Sequence, residues 1–248
     1  MMTYHVFYPD QGGTQAGKAL ARMLADEEPG KSYADVMRLR VSGALTNQCT
    51  DTYFVALDED TCVSRLWNGW GKHRDAIGNF GNFLTLEKYR GQGIGTRLLQ
   101  TWYDELQART DKPLALFCTS APKAALMYAK YGMRPIMPDA AYGPSYMPLG
   151  DSPSDFAAFC EAYYQPSQVL IAKDACFAWR HEIDLLLKFA LWQNGVSFGI
   201  RNMPSLEQAL LHAPEKTELL FTEQERCVGW RYEGEAQVHP AYSKTKIM

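Results

Sequence analysis

The order of structure-forming segments predicts a mixed α+β fold, and three observations carry that reading. Residues 52–57 and 61–67 are runs of β-formers joined by the polar turn Asp58-Glu59-Asp60, the pattern of an antiparallel hairpin. Farther along, two helical stretches, about 93–109 and 123–131, alternate with short apolar runs, which reads as a β-α-β-α-β unit. The chain of 248 residues, 46% hydrophobic and 21% charged, has a globular composition and is long enough to bury a core without disulfide or metal staples.

Each element has its own local reason. Residues 3–9 are rich in β-formers and end at the turn signal Pro9-Asp10-Gln11-Gly12-Gly13. Helical stretches follow at about 14–26 and 32–46, separated by Pro29-Gly30. After the hairpin and the Gly69/Gly71 turn comes an extended segment, 76–86, broken by Gly78 and Gly81. The helix at 93–109 places Ile94, Leu98, Leu99, Trp102 and Leu106 on one stripe, with Arg97, Gln100 and Asp104 elsewhere. Residues 113–118 read as a buried strand. The helix at 123–131 stops at Gly132, a favoured C-terminal glycine, and 133–137 can form another strand. Proline and glycine then crowd 135–153 (Pro138 among them), which places a boundary near residue 150. Beyond it the pattern predicts a helix near 154–164, a long helical stretch near 174–193, and strands near 195–200, 217–222 and 226–233. The expected organisation is a domain at 1–149 and a C-terminal α+β region at 150–248 of unknown role, which could cover an acceptor site.

Two glycine loops could hold phosphate. The first, Gly12-Gly13-Thr14-Gln15-Ala16-Gly17-Lys18-Ala19, nearly matches the nucleotide-binding pattern G-x-x-x-x-G-K-[ST], and Asp58 ends an apolar strand as a magnesium-binding acid would. Ala19, however, stands where the metal-ligating hydroxyl is required. The second is Arg90-Gly91-Gln92-Gly93-Ile94-Gly95-Thr96, which runs straight into the strongest helix. Its glycines let the backbone approach a ligand. The helix start offers unpaired N–H groups and a positive dipole end, and Arg90 adds charge, so a pyrophosphate fits chemically. The dinucleotide pattern G-x-G-x-x-G fails here, because Thr96 stands where the third glycine is needed.

This second stretch resembles the GCN5-related N-acetyltransferase (GNAT) superfamily, whose signature [RQ]-x-x-G-x-[GA] is met by Arg90, Gly93 and Gly95. Residues 83–99 look like the family's fourth strand, loop and third helix. Residues 125–133, Ala125-Leu126-Met127-Tyr128-Ala129-Lys130-Tyr131-Gly132-Met133, resemble its later A-x-x-L-Y-x-x-x-G-F helix. The resemblance implies a mixed, mainly antiparallel sheet flanked by helices. It implies that the loop amides of Arg90, Gly91, Gln92, Gly93, Ile94, Gly95 and Thr96 bind the pyrophosphate of acetyl-CoA, and that Phe83, Leu84 and Thr85 pair with its pantetheine arm. It implies a general acid at Tyr128, since a thiolate leaving group of pKa about 8.5 is served by a neutral phenol of pKa about 10. The chain departs from the pattern at Glu87, where proline is usual, at Ala121, which replaces a pantetheine-binding asparagine, and at Ala129, which replaces a frequent glutamate. Tyr128 also fits a packing role against the sheet.

The remaining sequence sets bounds. Lys+Arg 25 against Asp+Glu 28 gives a net charge of −3, with no support for nucleic-acid binding. Six scattered cysteines show no C-x-x-C and no zinc spacing, so no metal is expected. The N-terminus lacks a signal-peptide pattern and no run reaches the ~20 apolar residues of a membrane span. The expectation is a cytoplasmic protein without membrane partner, and a homodimer stays open. The general base is unassigned: His73 and Glu87 flank the fourth strand, and a water relay serves equally. Cys118 ends an apolar strand and reads as a packing thiol. The functional expectation is an acyl-CoA-dependent N-acyltransferase acting on a small-molecule or protein amine, with acetyl-CoA as donor. The alternatives are an acyl-CoA-binding sensor without turnover and, more distantly, a P-loop phosphotransferase.

Overall fold

The computed structural model describes residues 1–26, 32–137, 143–201 and 203–248, so the Pro29-Gly30 break and Pro138 lie outside the described residues. In chain order the elements are β1 (Met2–Phe7), α1 (Gln15–Ala25), α2 (Ser32–Val41), β2 (Cys49–Asp58), β3 (Thr61–Gly71), β4 (Ile77–Thr85), α3 (Ile94–Ala108), β5 (Ala115–Ser120), α4 (Pro122–Ala129), β6 (Arg134–Pro135) and β7 (Gly143–Pro148). They continue with α5 (Phe156–Tyr163), β8 (Val169–Asp174), α6 (Lys188–Gln193), α7 (Leu206–His212), β9 (Thr217–Phe221), β10 (Cys227–Tyr232), β11 (Glu235–Val238) and β12 (Lys246–Ile247). The fold is the expected mixed α+β class with mostly antiparallel sheets. Two compact units form, Met1–Lys72 with Phe80–Lys112, and His73–Asn79 with Pro113–Met248.

In the first unit the strand order is β1-β2-β3-β4. The β2–β3 hairpin runs from Cys49↔Gly71 to Asp58↔Thr61, longer than the apolar runs alone suggest. The extra pairs carry Asp51, Asn68 and Gly69, polar or small residues that a pattern search leaves out. One sheet face packs on α1 and α2 through Phe7, Leu20, Leu24, Met37, Tyr53, Val55 and Trp67, all buried. At about 1.5–3 kcal/mol per large apolar side chain, this cluster dominates the unit's stability. The predicted stripe of α3 is the buried one, Ile94, Leu98, Leu99, Trp102 and Leu106, with Trp102 against Phe80 at 4.2 Å.

In the second unit β5 pairs in parallel with the start of β4, Ile77↔Ala115 to Asn79↔Phe117, and antiparallel with β7, which pairs with β6. A further sheet has the order β11-β10-β9-β8-β12. β7 departs from expectation: Pro144 and Pro148 read as linker, yet β7 holds them in its ladder with β5, where Tyr146 is buried. β8, α7, β11 and β12 are likewise additions to the predicted elements. The predicted helix over 174–193 is interrupted: a 3-10 turn at Phe177–Trp179 precedes a π-helical segment, Glu182–Leu187, and then α6. Residues 195–200, read as a strand, form no strand. The main core of this unit joins Ala115, Phe117 and Tyr146 to Phe156, Phe159, Tyr163, Leu185 and Phe189. The expected boundary near residue 150 runs through that cluster. No helix among the described residues is long and apolar enough to cross a membrane.

Candidate functional site

The first glycine loop has a packing role. Thr14 caps α1, its Oγ1 accepting from the Gly17 N–H at 3.1 Å, so one of the donors a phosphate would use is already satisfied. A Cβ on Gly17 would stand 2.6 Å from the Phe7 ring, which explains the glycine. Lys18 is exposed on α1, and Asp58 accepts from the Tyr89 hydroxyl at 2.9 Å.

The second loop is built differently. β4 ends at Thr85, a 3-10 turn covers Glu87–Tyr89, and Gly93 caps α3 in the left-handed region at φ 77°. Gly91 has the same φ of 77°, and a Cβ on either glycine would meet nothing among the described residues within 4 Å. The backbone is therefore open on that side. Gly93 has no side chain to cap the helix and the first turn of α3 holds no acid. The N–H groups of Ile94, Gly95 and Thr96 thus lack intrahelical acceptors and face an anion favourably. Gly95 serves packing: a Cβ there would come within 2.8 Å of the Phe83 ring. Arg90 donates from Nε to the Thr85 carbonyl at 3.0 Å, which ties its guanidinium to the strand end. Gln92 donates to the Lys88 carbonyl at 3.1 Å. Phe83, Leu84, Thr85 and residues 90–96 are thereby brought together in one unit. The Ser64 hydroxyl, on β3, donates to the Leu84 carbonyl at 2.9 Å and lies 2.8 Å from the Thr85 hydroxyl.

Tyr128 belongs to the other unit, on α4, and is 5% exposed. Burial, with the Cys118 thiol adding to it, holds its hydroxyl well above the ordinary tyrosine range, so it is neutral and proton-bearing. Burial likewise pushes the Cys118 thiol up to about 12, against hydrogen bonds to Ser145 and Ser120, which makes it a poor nucleophile. His73 is largely withdrawn from solvent. Its side chain is 12% exposed, Nε2 lies 3.2 Å from Glu182 Oε1, and the ring stacks on Trp179 at 3.5 Å. Burial opposes its charge, but the hydrogen bond and charge of Glu182 win and raise its pKa. Glu87 is exposed. Two residues that the sequence patterns do not single out stand beside the loop strand, Arg65 and Asn82, joined by an Arg65 Nε to Asn82 Oδ1 hydrogen bond of 2.8 Å. Only a residue with positive φ inside a strand marks them, and no periodicity reveals that. Among the described residues no group of three or more His, Cys, Asp or Glu side chains is placed to hold a metal.

Comparison with known proteins gives a family match and distant structural likenesses. Residues 49–134 match the family model described as an acetyltransferase (GNAT) domain. An acyl-CoA N-acyltransferase from Pseudomonas aeruginosa is 12% identical, with 59% of this chain and 99% of that chain covered and a TM-score of 0.44. Escherichia coli ElaA is 15% identical over 59% of this chain and 99% of that one, TM-score 0.42. Escherichia coli YhbS, a GNAT family N-acetyltransferase in complex with CoA, is 15% identical over 61% and 84%, TM-score 0.43. No curated protein matches the chain.

Proposed function

We propose, from the premise that this chain carries an acetyltransferase domain of the GNAT family, that it moves an acetyl group from acetyl-CoA to a primary amine by direct attack. The observation that carries this reading is the open cradle of Gly91 and Gly93 at the uncapped start of α3, beside Arg90. A pyrophosphate needs close backbone approach, free N–H donors and positive potential, and the loop supplies all three. The backbone of Phe83, Leu84 and Thr85 would hold the pantetheine arm by strand-like pairing. Tyr128 would donate its proton to the departing thiolate, a task suited to a neutral phenol. The acceptor amine, small molecule or protein, is set by parts of the chain other than the glycine loop.

Thermal-shift titration tests the reading. A ligand at 100 times its Kd adds about 2.7 kcal/mol of stability, so CoA should raise the melting temperature and Mg-ATP should not. Stabilisation by Mg-ATP alone would return the function to the first loop. A non-catalytic acyl-CoA sensor predicts the same CoA shift but no thiol release with any amine in a panel. Burial makes the Tyr128 hydroxyl a weaker acid than a free phenol, so thiol release with an amine is what separates turnover from that reading.

A further inference from the structure

Five non-glycine residues among those described have positive φ: Glu59, Asp75, Asn82, Glu225 and Glu233. Four of them sit in turns between strands, where such backbone is ordinary. Asn82, at φ 51°, lies inside β4, immediately before Phe83, Leu84 and Thr85. An asparagine tolerates the left-handed region better than most residues, but in a strand it interrupts the pleat and re-aims the residues after it.

A buried guanidinium holds it there. Arg65, on β3, is 3% exposed, and its Nε donates to Asn82 Oδ1 at 2.8 Å. Arginine can only donate, so the amide has one orientation available: oxygen toward Arg65, nitrogen away. That orientation leaves Asn82 Nδ2 buried with no hydrogen-bond partner among the described residues, a cost that accompanies the bond to Arg65. A local cost of this kind persists when the surroundings impose it, and such costs gather at functional positions. The residue before Arg65 completes the grip: Ser64 donates to the Leu84 carbonyl and meets the Thr85 hydroxyl. Two consecutive β3 side chains therefore seize β4 on both sides of Phe83.

We propose that Arg65 and Asn82 are positioning residues for acyl transfer. By clamping residue 82 in the left-handed conformation, the pair sets the direction in which the backbone of Phe83, Leu84 and Thr85 meets the acyl donor. The inference rests on the acetyltransferase reading and adds the device that aims its donor strand. A misplacement near 1 Å at reacting groups costs about 10²-fold in rate, so a strand released from this clamp loses turnover without losing the fold.

The test uses the full chain, CoA titration by calorimetry, and steady-state kinetics with an amine found by thiol-release screening. Arg65→Met should raise the KM for acetyl-CoA and lower kcat/KM by about 10²-fold, with the acceptor KM unchanged. Asn82→Val, disfavoured in the left-handed region, should do the same, and the double variant should fall no further than either single one. Asn82→Asp still accepts from Arg65 and tolerates the conformation, so it should stay within about threefold of wild type. Folding of each variant is checked by its melting transition, and Asn82→Asp supplies the comparison if Asn82→Val does not fold. Wild-type values for folded Arg65→Met would overturn the clamp, as would Asn82→Asp losing as much as Arg65→Met. A wild-type chain that binds no CoA would instead overturn the acetyltransferase reading, and the clamp with it.

Discussion

At the residue scale, Tyr128, Gly93 and Gly17 separate chemistry from packing. Tyr128→Phe keeps the buried ring and removes only the hydroxyl. The catalytic role predicts a kcat loss of about 10²-fold with unchanged CoA affinity, measured at saturating acetyl-CoA across pH. Equal kcat in both proteins would leave Tyr128 a packing residue. Gly93→Ala adds a methyl into open space, so its cost comes from the φ of 77°, about 1–2 kcal/mol for an L-residue in that region. Calorimetry should show CoA affinity down about tenfold or more, because the strain is relieved by turning the N–H groups away from the anion. Gly17→Ala has the opposite signature. Its Cβ meets Phe7 at 2.6 Å, so the expected loss is about 1–3 kcal/mol of stability with CoA affinity intact.

At the element scale, two buried ion pairs hold segments in place. Arg40 on α2 and Asp51 on β2 meet at 2.5 Å with side chains almost fully buried, and Trp67 Nε1 donates to the same carboxylate oxygen at 2.8 Å. Asp51→Ala removes this carboxylate from the buried guanidinium, and chemical denaturation should show a loss of about 3–5 kcal/mol. In the second unit Glu182 is fully buried and accepts from the Ile77 N–H at 2.7 Å as well as facing His73. His73 Nδ1 lies 3.1 Å from the Arg74 carbonyl, so both ring nitrogens face acceptors, the arrangement of an imidazolium. Its pKa is raised above the usual 6.5 by Glu182. The pair's stabilisation is therefore complete below that value and is lost as pH rises through the raised one. Melting temperatures of wild type and Glu182→Gln should differ most at low pH within the neutral range and converge as pH increases. A difference that grows with pH would assign the pair the wrong sign.

At the scale of the whole molecule, each compact unit is drawn from separate stretches of the chain: residues 77–79 of β4 belong to the second unit and residues 80–85 to the first. Within the second unit, Phe117 and Tyr146 lie against Phe156 and Phe159, with ring centroids 5.3–6.3 Å apart. A chain ending at residue 150 would uncover that cluster, at about 1.5–3 kcal/mol for each large side chain. Circular dichroism should therefore show no cooperative melting of the second unit in such a truncation. A cooperative transition retained there would support a boundary near residue 150.

Local patterns determined much of this molecule. The stripe of α3, the hairpin, and the glycine loop at residues 90–96 come from periodicity, turn chemistry and the dihedral freedom of glycine, all of which act over a few neighbouring residues. The loop's residues were legible because an anion site at a helix start is itself a local structure. Elsewhere the decision was tertiary. β7 forms across Pro144 and Pro148 because its ladder with β5 buries Tyr146, a gain no residue in that stretch announces. The helical run at 174–193 breaks into 3-10, π and α segments with Glu182 starting the π segment, where it meets Ile77 and His73 more than a hundred positions earlier. The left-handed Asn82 depends on Arg65, seventeen residues upstream and on another strand. Such pairings are choices among distant partners, governed by burial and by which donors and acceptors remain unmet, and a linear pattern holds no record of them.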